Sequence, residues 1–390
     1  MKLINLKITS LIFVTILLSN QFASAQAQSA FTFASDIYLD YVNAFKGGIK
    51  TGDGVLGNID LMISFDTEKA KLWKGGTFFA YGIHDFGYKP SAQNVGCYQP
   101  FDNIETYDKD QLLEFWYKQQ FKKGYIIFGQ SNVNYNFFHL DNGNNFINGN
   151  FNCQPDVAGN ISISTFSKNT LGVKWSWKLN QNFTYKGCIY NGYTGTPDDN
   201  PYDLEYRFGK KEGFFTTHQL GYKIRKDSVV TTAIKAGIWY HSGTFINGID
   251  STEYKGKVGL YGSAERLLMP FSGDNSRGIS AFLIAGYVPD KYSIVKFYYA
   301  YGLNITGIFP KRKNDILGIG LANTIVNQDI ANLTTNNSHS QENIFEMYYL
   351  LKLSNNFSFS PDFQYTASPG GSPTINNAFT AILRLIVSFN

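Results

Sequence analysis

Charge is scarce in this 390-residue chain: Asp, Glu, Lys and Arg make up 16% of it, against 43% hydrophobic residues. That is lean for two soluble domains of the same combined length. Net charge is only +4 and the basic residues are scattered, so the chain carries no electrostatic footprint for nucleic acid. Cysteine is rarer still. Cys97, Cys153 and Cys188 are too few for a disulfide scaffold, and their spacing matches no zinc pattern. Cys97 and Cys153 both lie in polar stretches and are read either as a loop-to-loop disulfide or as two free thiols. No stretch of the mature chain approaches the roughly 20 apolar residues of a transmembrane helix. The mean hydropathy of −0.20 argues against a multi-helix membrane protein as well. Catalytic signatures are also missing. The five histidines, His84, His139, His218, His241 and His339, form no HExxH pair, and no G-x-S-x-G elbow occurs. Neither an enzyme nor a bound cofactor or metal is expected.

What the chain has in quantity is aromatic residues, at 16%, and glycine, at 37. Aromatics favour sheet, and glycine-rich helices are weak, so a helical bundle is improbable and disorder is excluded. Residues 1–25 read as a secretory signal: Lys2 and Lys7, an apolar run from Ile8 to Leu18, then the small residues Ala23-Ser24-Ala25. The mature chain, 26–390, is expected to form a single domain.

Period-two alternation runs through that domain in segments of about ten residues. Near the carboxyl end Ala381, Leu383, Leu385, Val387 and Phe389 share one face, opposite Ile382, Arg384, Ile386 and Ser388. Phe357, Phe359, Pro361, Phe363 and Tyr365 alternate with Ser358, Ser360, Asp362, Gln364 and Thr366. The same split separates Leu171, Val173, Trp175, Trp177 and Leu179 from Thr170, Lys174, Ser176 and Lys178, and Phe345, Met347, Tyr349 and Leu351 from Glu346, Tyr348 and Leu350. A soluble sandwich alternates too. Large apolar side chains over one face, with aromatics near strand ends, instead favour a barrel in a membrane.

Connection lengths are an independent test. Short polar turns fall near 66–71, 122–124, 180–182, 225–228, 272–277, 311–314 and 354–356, separated by longer stretches such as 87–109, 132–168, 194–212, 242–254 and 328–341. Seven such hairpins, a first strand near 37–45 and the last strand make sixteen. The fold class is therefore an all-β, 16-stranded antiparallel transmembrane barrel with an aqueous lumen, which long loops such as 132–168 narrow by folding inward. Gly318-Ile319-Gly320 imitates half a dinucleotide loop, but it lies in an alternating strand and reads as backbone crowding.

Inward polar residues would form the working surface. Phase assigns Glu114, Trp116 and Lys118 to one face, with Leu113, Phe115 and Tyr117 opposite. An acid, an indole and a cation offer hydrogen bonds to hydroxyls and a flat surface to a sugar ring. A charge on the lipid face costs about 2–4 kcal/mol at mid-depth, so Glu114, Glu346, Asp362 and Arg384 are expected to point inward.

These residues resemble the carbohydrate-selective porins of the OprB type over nearly the whole mature chain. The strongest stretch is ENIFEMYYLLKLSNNFSFSPDFQYTASPGG from Glu342 to Gly371. GNIDLMISFDTEKAKLWKGGTFF from Gly57, FINGNF from Phe146, GIWYHSGTF from Gly237 and GIFPKRKNDILGIGL from Gly307 follow the family's order. The resemblance implies passive diffusion of mono- or oligosaccharides through a bacterial outer membrane. A general size-selective porin is the alternative, and a barrel enzyme a more distant one. Carried over by position, Glu114, Trp116, Glu346, Asp362 and Gln364 match the family's pattern, and Arg312 with Asp315 matches a basic–acidic pair at a turn, which would serve equally as a structural pair. The family's pores are commonly arginine-rich, whereas this chain has six arginines and relies on lysine. Expected partners are a small-molecule carbohydrate, outer-membrane lipid and the barrel assembly machinery. The sequence is also compatible with a homo-oligomer.

Overall fold

Strands that alternate an apolar and a polar face cannot end in open edges inside lipid, where nothing else bonds their amides; closure is the remaining solution. The computed structural model describes residues 29–389 except 197, 227, 248, 272–273, 290–291 and 335–338, and in it sixteen antiparallel strands close into one barrel. The signal-segment reading of 1–25 lies outside the described residues. The first eight strands are β1 (Phe31–Gly48), β2 (Gly52–Asp66), β3 (Gly76–Gly87), β4 (Lys109–Phe121), β5 (Gly124–Gln130), β6 (Leu171–Lys178), β7 (Phe183–Asn191) and β8 (Phe214–Lys226). The second eight are β9 (Val229–Ile246), β10 (Glu253–Phe271), β11 (Asp274–Tyr287), β12 (Val295–Thr306), β13 (Ile316–Val326), β14 (Gln341–Lys352), β15 (Phe357–Ala367) and β16 (Asn376–Phe389). Each strand pairs with its neighbours in the chain, and β1 pairs with β16 to close the ring.

All seven short turns join the strands expected, at one end of the barrel, where both described chain ends also lie. The other end carries the loops. Three differences stand out. β1 is longer than expected, and its connection to β2 is only 49–51. β9 and β10 extend to Ile246 and Glu253, so the loop expected over 242–254 shrinks to 247–252. Its polar residues had masked a continuing ladder. By the usual asymmetry of such barrels the short turns face the periplasm and the loops the exterior.

The outer wall is a band of Leu39, Leu61, Ile234, Leu260, Leu303 and Leu383, all exposed. Aromatic groups flank it. Phe31, Phe65, Phe78, Trp73 and Tyr117 contact one another near the turns, while Phe45, Phe363, Phe379 and Tyr365 do so near the loops. Amphipathic rings at both rims suit the two lipid–water boundaries. In β15 the alternation is complete, with Ser358, Ser360, Asp362, Gln364 and Thr366 all buried on the inner face.

Candidate functional site

Two loops at the barrel's loop end pack against its inner wall. Loop 131–170 places Phe146 and Phe151, stacked at 4.4 Å, against Phe282, Tyr298, Ile344 and Tyr348 of β11, β12 and β14. Its other segments put Val133, Phe137, Phe138 and Ile161 against Tyr190, Phe215, Trp239 and Tyr261 of β7–β10. Loop 88–108 packs Val95, Phe101 and Ile104 on Val42, Leu56 and Ile382. Part of the inner face is therefore dry, which corrects the expectation of a wet inner wall throughout. A loop can fold into a pore only where wall and loop both present apolar surface, because its backbone leaves water when it does so. Gly320 makes room for this contact: a Cβ there would lie 2.6–2.8 Å from the rings of Phe146 and Phe151. The glycines of the Gly318–Gly320 segment serve crowding, as read.

Four of the expected site residues come together on adjacent strands, under these loops. Glu346 on β14 is fully buried, and its carboxylate accepts the amides of Ile147 at 2.6 Å and Asn148 at 3.0 Å. Gln364 on β15 accepts from Asn148 Nδ2 at 2.8 Å and donates to the Phe101 carbonyl and to Asp362 Oδ1, each at 3.0 Å. Arg384 on β16 donates from Nε to both oxygens of Asp40 at 2.9 Å, and from Nη2 to Asp40 at 2.6 Å and Asp102 at 2.9 Å. Asp40 and Arg384 face each other directly across the β1–β16 seam. Inward orientation was expected of these residues. Exposure to the solute path was expected too, and this is corrected, because Glu346, Asp362, Gln364 and Arg384 are all buried beneath loops 88–108 and 131–170. Glu346 and Gln364 hold loop backbone, Arg384 holds Asp102, and Asp362 orients Gln364.

Glu114, Trp116 and Lys118 form a separate group on β4, partly exposed to the lumen toward the turns. Trp116 Nε1 donates to Glu114 Oε2 at 2.8 Å. The indole stacks on Phe79 at 4.7 Å, and the Lys118 ammonium lies 4.9 Å from the centre of the Tyr125 ring. Leu113 was expected opposite Glu114, but a bulge makes both point inward: Tyr81 pairs with Glu114 and Gly82 with Leu112, leaving Leu113 as the extra residue, buried. Bulges of this kind re-aim side chains beside functional surfaces. Arg312 stands apart from both groups. It lies in the turn between β12 and β13 and forms a two-point ion pair with Asp315 at 2.7 and 3.0 Å, while Asp315 also accepts from Tyr349 and the Lys352 amide. It is not on the lumen wall.

Several contributors escaped the sequence reading. Phe79 and Tyr81 sit on a strand with aromatics on both faces, so phase was ambiguous there. Asp40 carried a usable signal, since it is a charge inside an alternating apolar strand. Asp102 had none. The three thiols are free, which answers the disulfide alternative in favour of unpaired cysteines. Among the described residues no cluster of His, Cys, Asp and Glu is arranged to hold a metal.

Asp156, in loop 131–170, is fully buried, and burial pushes its carboxyl up to about 8, with only its own backbone amide opposing. Glu105 and Asp203, in neighbouring loops, rise to about 7, again mainly by burial. A folded-state value above the unfolded one means the folded loop binds more protons. The contribution is fully present below about pH 4, is lost as pH climbs, and is gone above about pH 8. The inward loops should therefore resist protease best in acid and progressively less up to about pH 8. Asp156→Asn should flatten the upper part of that profile. A proteolysis series on the detergent-solubilised barrel from pH 5 to 9 checks this, and identical profiles for both proteins would contradict it.

The chain's relatives agree with this architecture. The high-pH structure of Pseudomonas putida OprB superposes with a TM-score of 0.82 at 18% identity, covering 94% of this chain and 96% of that one. An OmpF structure from Salmonella typhi gives 0.59 at 10% identity, covering 92% and 97%. In sequence, Porin B of Pseudomonas aeruginosa is 23% identical over 381 residues, 84% of this chain and 80% of that protein. Residues 50–389 match the model of the carbohydrate-selective porin, OprB family. Family and fold are those of outer-membrane channels and not of enzymes. Lipid-facing band, closed sheet, inward loops and a match over most of the chain converge on one statement: this protein belongs to the carbohydrate-selective porin, OprB family.

Proposed function

We propose that sugars cross this outer-membrane porin passively, through a passage narrowed by loops 88–108 and 131–170, and that Glu114, Trp116 and Lys118 are the groups they touch. The observation that carries this is the β4 group itself. Phe79 backs one face of the Trp116 indole and Glu114 fixes its N–H, so the ring is held as a rigid platform that keeps partial exposure to the lumen. A rigid ring loses little entropy on stacking a sugar, and flanking charges bond hydroxyls. A channel must release what it attracts. Millimolar affinity, about −4 kcal/mol, suits that need. Glu346, Asp362, Gln364 and Arg384 act indirectly, by seating the loops that set the width. Arg312 braces a turn. The outward band contacts outer-membrane lipid, and the barrel assembly machinery would read a last strand running to Phe389.

Trp116→Ala is expected to lower glucose flux several-fold in liposome swelling while leaving the flux of a similarly sized neutral amino acid unchanged. Equal fluxes of the two solutes through the unaltered protein would instead support a pore that sorts by size alone. Unchanged glucose flux in Trp116→Ala would remove the platform assignment.

A further inference from the structure

On the turn side of loop 131–170, four adjacent strands, β6 to β9, each turn a lysine inward: Lys174, which is buried, and Lys186, Lys223 and Lys235, which keep partial exposure. Lys186 lies within electrostatic reach of the other three. Like charges on neighbouring strands repel, and repulsion inside a low-dielectric wall is costly. Among the described residues none of the four forms an ion pair at salt-bridge distance. The carboxylates in electrostatic reach are Asp141, Glu265 and, beside Lys174, Glu114, and Glu265 already accepts the Asn142 amide at 2.7 Å. His139 adds no positive charge near neutrality, because burial first and Lys235 second push it down to about 4. Four cations thus outnumber three acids.

Anchoring the loop explains only part of this. Lys174, Lys186 and Lys235 donate to the carbonyls of Asn132, Asn136 and His139 at 3.3, 3.0 and 2.6 Å. A carbonyl needs no cation, however: Asn304 Nδ2 serves the Asn142 carbonyl at 2.6 Å. Each ammonium has three N–H groups and spends one. Lys223 is partly exposed, and among the described residues its ammonium forms no ion pair and holds no loop carbonyl. Its charge is present without a structural use.

We propose that this arc binds the carboxylate of an acidic sugar, a hexuronate, while the sugar's hydroxyl edge remains free for the polar groups of β4. The inference rests on the sugar-channel reading and narrows its substrate class. Two or three charge-assisted hydrogen bonds from flexible ammonium groups hold an anion without trapping it in a wet lumen.

The test uses the full barrel in planar bilayers, with glucuronate, glucose and benzoate as probes and interruption of the ion current as readout. Glucuronate should interact at least about tenfold more tightly than glucose, since even one charge-assisted hydrogen bond supplies that difference. Lys223→Gln should remove most of that preference and leave glucose unchanged, and Lys223→Arg should keep it. Lys235→Gln, which also frees a loop contact, is the second variant. Equal interaction of glucuronate and glucose, or a Lys223→Gln protein that still prefers glucuronate, would overturn the proposal. So would benzoate matching glucuronate, which would make the arc an unspecific anion filter. Glucuronate binding without any glucose interaction would leave the arc standing and instead count against the neutral-sugar reading.

Discussion

Arg384→Ala is expected to destabilise the seam of the barrel by about 3–5 kcal/mol and to release loop 88–108 from the lumen, raising single-channel conductance. The size follows from what remains behind. Asp40 and Asp102 are both fully buried, and Arg384 is the cation paired with both. Truncating it strands carboxylates in a site that water does not reach. A buried ion pair adds little net stability, yet removing one partner costs the full desolvation of the other. Asp40 cannot move, since it is built into β1 opposite β16. Asp102 can, because it sits on a loop, so loop withdrawal is the cheapest relief. The companion variant Arg384→Met with Asp40→Asn and Asp102→Asn removes every charge together and should recover most of the stability. Heat-induced mobility shift on electrophoresis reads the stability, and bilayer recording reads the conductance. Unchanged conductance in Arg384→Ala would show that the apolar contacts of Val95, Phe101 and Ile104 suffice to hold the loop.

The barrel was legible because a two-residue period leaves little freedom: once Leu383 and Leu385 face lipid, Ile382 and Arg384 must face inward. The turns were legible for the same local reason, through Asn, Asp, Lys and Gly between alternating runs. What could not be read is long-range. Glu346 and Asn148 are 198 residues apart, and Arg384 and Asp102 are 282 apart, so no spacing reports their contact. Inward direction alone placed Glu346, Asp362, Gln364 and Arg384 correctly but left open whether water or a loop would meet them. Apolar inward residues such as Ile344, Tyr348 and Ile382 held the clue. An aqueous wall has no reason to carry them, and their presence marks where a loop must land. The Leu113 bulge was invisible because both phases of β4 offer a plausible inner face.

Glu346→Ala should produce the second large effect, weakened solute discrimination through movement of loop 131–170. Glu346 accepts two backbone amides at the inward tip of that loop, at 2.6 and 3.0 Å. A hydrogen bond to this buried carboxyl is worth about 0.5–1.5 kcal/mol, and each amide left buried without a partner adds a penalty of about 1–3 kcal/mol. Against this stands the apolar anchor, in which burial of Phe146 and Phe151 contributes about 1.5–3 kcal/mol apiece. The two anchors are of similar size, so neither alone decides the loop's position. Glu346→Ala is expected to leave the loop partly seated, with noisier current and a reduced preference for sugar over an amino acid of equal size. Adding Phe151→Ala should empty the lumen of the loop, giving a steady higher conductance with no preference. The two substitutions act on one element, so their effects should exceed the sum of the singles. A double variant that merely adds them would show that the tip is held elsewhere, through the contacts of Asn150 with Tyr298 and Thr324.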